Sequence, residues 1–251
     1  MSKLNRLIFL FIALIPLICA CKRVASVPPL EATNYTLAWL ERRYSFLEDP
    51  LWAALLRRVA GRLSRAIYGQ AMGNGLSEDF CRRVGMERDC SRYPWRVFIL
   101  NSDRNESFAL GSGVVVITSG LLEGLDTESE LAAILGHEMA HDILGHPFDL
   151  SGLRDDPTSP LVFFSFEREI EADLLSLKIL KLAAYNPCAS LSALDAFGGE
   201  ETVSPYDDWQ GFRKAYMAMH MRGSASCCLG YLDINTREFN RAKIRLSRIK
   251  E

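Results

Sequence analysis

Two histidines four residues apart, with a glutamate beside the first, constrain the fold of this chain most strongly. They are His137, Glu138 and His141, in the sequence His-Glu-Met-Ala-His. Residues i and i+4 lie on one face of an α-helix, so this spacing brings both imidazoles to one side, where a zinc ion can bind. We therefore predict a helix from Glu128 to Leu144, with its N-cap at Asp126 or Thr127.

The chain has four histidines, and three of them, His137, His141 and His146, fall within ten residues. A catalytic zinc normally takes three protein ligands and leaves a fourth position for water. We predict the third ligand on a second helix, from about Glu167 to Ala184, where Glu169 and Asp173 are four apart and share a face. Glu169 is the predicted ligand there.

The remaining polar side chains near this site are predicted to support the ligands. Asp173 can accept the outer N–H of a ligating imidazole and so fix its tautomer. His146 is placed in the same supporting group, with direct ligation as the alternative. Glu171 lies on a different helix face and is the weaker ligand candidate.

Length and composition indicate one globular domain with a full-sized core. The chain has 251 residues, of which 49% are hydrophobic, and a formal net charge of −2. The near balance of acids and bases argues against a nucleic-acid partner. We predict a single domain over 31–251, with a helical part at 31–90, a catalytic core at 96–185 and a second helical part at 186–251.

The period of the sequence becomes strand-like between Arg96 and Thr118. Val97 to Leu100 and Val114 to Ile117 are β-branched and apolar runs, and Ser107 to Leu110 is a third candidate strand. Together with the helices, they predict an α+β fold. It is mainly helical, with a small antiparallel sheet next to the histidine-bearing helix.

The N-terminal segment has the pattern of a secretory signal. Lys3 and Arg6 precede an unbroken apolar run from Leu7 to Ala20, so 1–20 is predicted to be a signal peptide. The run ends in Leu-Ile-Cys-Ala-Cys, which resembles a bacterial lipobox and predicts lipidation of Cys21, with 21–30 as a tether. The alternative is an ordinary cleaved signal or an uncleaved anchor.

Export sets the redox environment of the remaining cysteines. Lys22, rather than Asp, follows Cys21, and by resemblance to the Gram-negative sorting rule this indicates the outer membrane, with the domain facing the periplasm. That compartment is oxidising and supports disulfides. The five further cysteines are Cys81, Cys90, Cys188, Cys227 and Cys228. A Cys81–Cys90 bridge is one candidate, and Cys188 with Cys227 or Cys228 is another; buried free thiols are the alternative.

Several motifs together resemble one known family. An apolar helix leads into His-Glu-x-x-His, a further histidine follows five residues on, and Ser165 to Asp173 reads S-F-E-R-E-I-E-A-D. Upstream, 105–117 is similar to a family segment N-A-F-A-L-P-G-G and strand, and 119–122 to T-G-L-L. Over about 96–184 the chain resembles gluzincin metallopeptidases of the HtpX and CAAX-prenyl-endopeptidase type.

Two departures from the family pattern stand out. Phe166 occupies a position where the family usually has arginine. The family's downstream His-Pro…Arg segment has no clear counterpart, although His220 and Arg237 lie in that region. The first departure affects a contact with a ligand-supporting group or with substrate, not zinc binding. The second leaves no residues assigned to the far wall of the substrate cleft.

The resemblance implies a zinc-dependent endopeptidase with one Zn²⁺ per chain, in which Glu138 is the general base for zinc-activated water. An extended substrate is expected to pair with an edge strand. That strand contains Phe108, Ala109, Leu110, Gly111 and Gly113. His220 is a candidate gating or oxyanion residue, with a surface or core histidine as the alternative.

The expected substrates are unfolded or misassembled envelope polypeptides, with outer-membrane assembly or protease partners. A latent or chaperone-like zinc lipoprotein with little basal proteolysis is one alternative. Another is a lipoprotein in which zinc only braces the fold; retention of Glu138 argues against it, because a structural zinc has no use for that carboxylate.

Overall fold

The computed structural model describes residues 30–68, 81, 95–146, 165–197, 207–222 and 234–249. The predicted signal peptide, Cys21, Cys90, Cys227 and Cys228 lie outside them. The helices are α1 (Leu30–Glu41), α2 (Pro50–Tyr68), α3 (Ser119–Gly124), α4 (Glu128–Leu144), α5 (Phe166–Leu182), α6 (Ala189–Ala193), α7 (Asp207–Arg222) and α8 (Arg237–Ile249). The strands are β1 (Arg96–Leu100), β2 (Ser107–Gly111) and β3 (Val114–Thr118).

The predicted three strands form one sheet, in the order β1-β3-β2. Strand β2 is antiparallel to β3, because the two are joined by a tight turn in which Gly111, Ser112 and Gly113 all have positive φ. Strand β1 pairs with the far side of β3 and runs parallel to it. The sheet is therefore mixed, and the prediction of an antiparallel sheet was wrong. Successive strands alternate in direction, but β1 pairs with β3 and not with β2, the next strand in sequence, so β1 and β3 run parallel.

Helix α4 begins and ends at local signals that the sequence supplies. The Thr127 hydroxyl accepts a hydrogen bond from the Glu130 N–H, and the Glu130 carboxylate accepts one from the Thr127 N–H, which completes a capping box. Gly145 ends the helix in the left-handed conformation, with φ of 69°. The predicted helix from Glu128 to Leu144 is thus confirmed.

Helices α4 and α5 pack antiparallel to each other. Ser176 of α5 lies against Ala133 and Gly136 near the start of α4, whereas Glu169 of α5 lies beside His141 near the end of α4. A Cβ at Gly136 would be 3.1 Å from the Ser176 hydroxyl oxygen, so glycine permits this close approach. The pairing turns the histidine face of α4 toward the acidic residues of α5.

A hydrogen bond also ties α4 to the sheet, and buried contacts tie it to the outer helices. The Gly113 N–H donates to the Asp142 carboxylate at 2.6 Å. At the other end of α4, the buried Glu128 accepts from Arg58, Thr236 and Tyr185. Burial and the Glu128 charge raise the pKa of Tyr185 to about 12. The position of α4 is therefore fixed at both ends.

Two of the five cysteines lie among the described residues, and both Cys81 and Cys188 are disulfide-bonded. This fits the predicted oxidising compartment. Among the described residues, no helix has both the length and the apolar character needed to cross a bilayer.

Gly120 at the start of α3 lies where a side chain cannot fit. A Cβ there would be 2.5 Å from the Asp103 carbonyl oxygen and 2.6 Å from that of Arg104. Because these are backbone atoms, we expect Gly120→Ala to lower the free energy of unfolding by about 1–3 kcal/mol.

Chemical denaturation followed by circular dichroism measures this loss. Gly61→Ala is the matched control, since the nearest neighbour of its added methyl is an arginine side chain at 3.7 Å and alanine favours a helix. Equal stability of the Gly120→Ala variant and the native chain would contradict the packing described here.

Candidate metal centre

Three side chains converge between α4 and α5. Nε2 of His137 lies 3.0 Å from Nε2 of His141. The two Glu169 carboxylate oxygens lie 3.3 Å from Nε2 of His137 and 3.4 Å from Nε2 of His141. Zinc bonds of about 2.0–2.1 Å in tetrahedral geometry separate neighbouring donors by about 3.3 Å. The spacing and chemistry of these donors therefore fit one zinc ion, and the structure brings together the three predicted ligands.

Asp173 lies behind the first histidine, one turn beyond Glu169 on α5. Its Oδ1 is 3.0 Å from Nδ1 of His137, the ring nitrogen that faces away from the cluster. Burial lowers the pKa of His137, but the nearby carboxylates of Asp173 and Glu169 outweigh it and raise the pKa to about 10. Metal binding therefore requires the loss of a proton from this ring.

Glu138 lies in the same cavity as the ligands. Its Oε1 accepts a hydrogen bond from the Ser107 hydroxyl at 2.7 Å. Its Oε2 is buried and has no hydrogen-bond partner among the described residues. Burial raises the pKa of Glu138. One carboxylate oxygen is thus held in place while the other remains able to take a proton.

Arg213 of α7 is a site residue that sequence reasoning missed. Its Nη1 lies 2.9 Å from a Glu169 oxygen, and its Nε and Nη2 bind both oxygens of Asp173 at 2.8 and 2.7 Å. Burial alone would lower the pKa of Arg213, but these carboxylates raise it. Met217 and Met221 are buried and four residues apart on α7, and Arg213 lies four residues before Met217 on the same face. A charged residue in line with an apolar helix face is the sequence signal that could have identified Arg213.

His220 lies elsewhere on α7. The ring is exposed, its Nδ1 is 3.0 Å from the Tyr216 carbonyl oxygen, and it does not line the cavity that contains the ligands. The structure therefore does not bring His220 to the site, because α7 turns its other face inward. The positively charged side chain of α7 that reaches the ligands is that of Arg213. Arg237 is the first residue of α8.

Strand β2 lies at an edge of the sheet, as the substrate-pairing prediction requires. Its first residue, Ser107, reaches Glu138. Toward its end, the Leu110 carbonyl accepts a hydrogen bond from the Thr33 hydroxyl of α1 at 3.2 Å. Helix α1 therefore occupies the edge near Leu110, and the part of the strand nearest the site begins at Ser107.

The cavity at the site has a volume of about 170 Å³. One turn away from the ligands on both α4 and α5, its lining changes from charged to mainly apolar. That part of the lining consists of Ala133, Ile134, Ser176, Ser190, Ala193, Leu194, Phe197 and Met217. A side chain next to the reacting bond can enter such a pocket.

The comparisons with known proteins agree with this geometry. Residues 77–152 match the sequence profile of peptidase family M48. This segment, less than a third of the chain, is similar to peptidase family M48. The M48 segment contains His137, Glu138 and His141 and ends before Glu169, so the structure supplies the third ligand. The resemblance to gluzincin metallopeptidases is confirmed.

The relatives of the chain include proteins of mitochondria and bacteria. The mitochondrial metalloendopeptidase OMA1 of Arabidopsis thaliana is 26% identical over 135 residues, covering 45% of this chain and 28% of the relative. The Beta-barrel assembly-enhancing protease of Yersinia pestis is 42% identical over 50 residues, covering 20% and 10%. The Protease HtpX homolog of Acidiphilium cryptum is 34% identical over 91 residues, covering 33% and 31%. The chain therefore spans less than a third of each.

Proposed function

We propose that this chain is a zinc-dependent endopeptidase that hydrolyses peptide bonds in unfolded or misassembled cell-envelope proteins. One observation carries the proposal: three zinc-type donors converge in a cavity that also holds a buried, half-partnered glutamate. A purely structural zinc site would have four protein ligands and no use for that carboxylate.

The residues of the site divide the chemistry among them. When bound, zinc supplies a Lewis acid that polarises a peptide carbonyl and makes water a stronger nucleophile. Glu138 takes the proton of the attacking water on Oε2 and delivers it to the leaving amine. Ser107 holds the other oxygen of Glu138 during both transfers. Asp173 orients His137, and Arg213 balances the charge of Asp173 and Glu169.

The edge position of β2 supports an extended polypeptide as the substrate. Main-chain hydrogen bonds to an edge strand hold many sequences in one register, so the preference for side chains is broad. Most extended segments of a folded protein are already paired within it, which favours unfolded substrates. The export pattern of 1–20 and the bacterial Beta-barrel assembly-enhancing proteases among the relatives support the envelope as the location. We extend this to a lipid anchor on Cys21 in the outer membrane.

The proposal is tested with one protein presented in two states. The chain from Lys22 onward, loaded with zinc, is incubated with a disulfide-stabilised protein and with its reduced, unfolded form. We expect internal cleavage of the unfolded form only, abolished by 1,10-phenanthroline and restored by added zinc. Release of single terminal residues, or cleavage that persists in the chelator, would contradict a zinc endopeptidase.

The apolar part of the cavity predicts a preference for the side chain that enters it. Ala193 is buried in its wall, so Ala193→Leu narrows the pocket. We expect at least about a tenfold shift in kcat/KM away from large apolar residues and toward alanine or glycine at one position beside the cleaved bond.

A peptide series that varies one residue on each side of the bond measures this shift. Ala215→Leu is the matched control, because Ala215 is exposed on α7 and lies outside the cavity lining. The pocket assignment is wrong if the Ala193→Leu variant keeps the native preference at every position.

The latent alternative gains no support from its named residue. A latent site needs a residue such as His220 to fill the open zinc position, but His220 is exposed and lies outside the cavity lining. Appearance of proteolysis only after His220→Ala would revive that hypothesis.

A further inference from the structure

We infer that His146 and Glu171 form a positioning dyad that fixes the ring of His141 for metal binding. The inference rests on the proposed zinc site and assigns a role to two residues outside the ligand set. His146 then supports a metal ligand and is not a ligand itself. The dyad extends from a solvent-facing carboxylate, through one imidazole, to a buried ligand.

The contacts run in an unbroken line from the ligand to the surface. Nε2 of His141 faces Glu169 and His137, whereas its other ring nitrogen, Nδ1, lies 2.9 Å from Nδ1 of His146. Nε2 of His146 then lies 3.2 Å from a Glu171 carboxylate oxygen. The two rings meet edge to face, with centroids 5.0 Å apart. Both nitrogens of His146 are therefore engaged away from the donor cluster, which excludes His146 as a ligand.

Proton positions follow from these contacts by elimination. A neutral imidazole carries one proton, and a nitrogen that binds a metal carries none. Because Nε2 of His141 faces the metal position, its proton is on Nδ1, which donates to Nδ1 of His146. The proton of His146 is then on Nε2, which donates to Glu171. The carboxylate at the end of the line therefore sets both tautomers.

The two ligating histidines are thus supported in different ways. His137 contacts its carboxylate, Asp173, directly at 3.0 Å. On the Nδ1 side of His141, the contacts lead through His146 to the Glu171 carboxylate. The outer partners of metal-bound histidines raise ligand basicity and fix ring orientation, and their loss weakens metal binding by about 10–100-fold. We expect the Glu171–His146 pair to have this effect on His141.

The local backbone explains how a residue beyond the helix reaches the ligand. Gly145 turns the chain in the left-handed conformation, and the His146 N–H then donates to the His141 carbonyl oxygen at 2.9 Å. This turn brings the His146 ring back beside His141, where its side chain is only 6% exposed. The Glu171 side chain is 51% exposed, on a helix face different from that of Glu169. A substitution at Glu171 therefore changes the end of the line without disturbing the core.

The dyad is tested by zinc affinity, measured by competition with a chromophoric chelator on the chain from Lys22 onward. We expect His146→Phe and Glu171→Leu each to weaken zinc binding by about 10–100-fold. Glu171→Gln should weaken it less, because its amide oxygen can still accept the His146 proton. The midpoint of thermal unfolding of the metal-free Glu171 variants should match that of the native chain, which separates positioning from folding.

Glu167→Leu is the matched control, because Glu167 is an exposed acid on the same helix and has no contact with His146 among the described residues. Native affinity in the Glu171→Leu and His146→Phe variants would overturn the dyad and leave the proposed function intact. Failure of the native chain itself to bind zinc would overturn both. Equal weakening by Glu171→Leu and Glu167→Leu would show an effect of net charge and would also overturn the dyad.

Discussion

Replacement of Glu138 with glutamine is expected to lower the rate of peptide-bond hydrolysis by about 10²–10⁴-fold, while one zinc remains bound per chain. Glutamine has the shape of glutamate and can still accept the hydrogen bond from Ser107, so the cavity keeps its form. An amide cannot take a proton from water at neutral pH. The loss should therefore fall on kcat, with KM for an unfolded protein nearly unchanged.

Parallel measurement of kcat, KM and zinc content makes this prediction specific to the base. Glu167→Gln provides the control, because it makes the same chemical change at an exposed position. Rapid cleavage by the Glu138→Gln variant would remove Glu138 from the mechanism. Loss of zinc from that variant would show that Glu138 supports the metal instead.

Replacement of Arg213 with methionine is expected to lower the free energy of unfolding of the metal-free chain by about 3–5 kcal/mol. Arg213 contacts both Glu169 and Asp173, which are buried and adjacent. Without the guanidinium, two buried carboxylates share the protonated His137 as their main counter-charge. Bound zinc supplies positive charge at the same place, so the variant should regain much of its stability when zinc is added.

Urea unfolding with and without zinc measures both parts of this expectation. Lys214→Met, one residue along α7, is the control, because Lys214 pairs with the exposed Asp195 at the surface and such pairs contribute only about 0–1 kcal/mol. Equal stability of the Arg213→Met and Lys214→Met variants would contradict the role given to Arg213.

The parts of the fold that follow from sequence are those set by local rules. Helix α4 has the predicted bounds because a capping box and a glycine C-cap fix its ends. The spacing of His137 and His141 needs only helical periodicity. Helix α5 ends at Leu182 rather than Ala184, because Ala184 takes a positive φ of 55° in the turn that follows.

The parts that sequence did not provide depend on contacts between distant segments. The order β1-β3-β2 depends on which edge of β3 the first strand joins, and no local pattern encodes that choice. Arg213 reaches the site from a helix 40 residues after Asp173, whereas the motifs of that region indicated His220 and Arg237. The contacts from His141 through His146 to Glu171 depend on the packing of α4 against α5 as well as on the turn at Gly145.

One zinc, held by His137, His141 and Glu169, is expected to make this chain a peptidase. The most direct test is a titration of the metal-free chain with zinc, in which cleavage of an unfolded protein is measured after each addition. We expect activity to rise in proportion to zinc and to stop rising at one equivalent per chain, and we expect Glu169→Ala to remove this break. A chain that binds one equivalent tightly and gains no cleavage, or that cleaves before zinc is added, would contradict it.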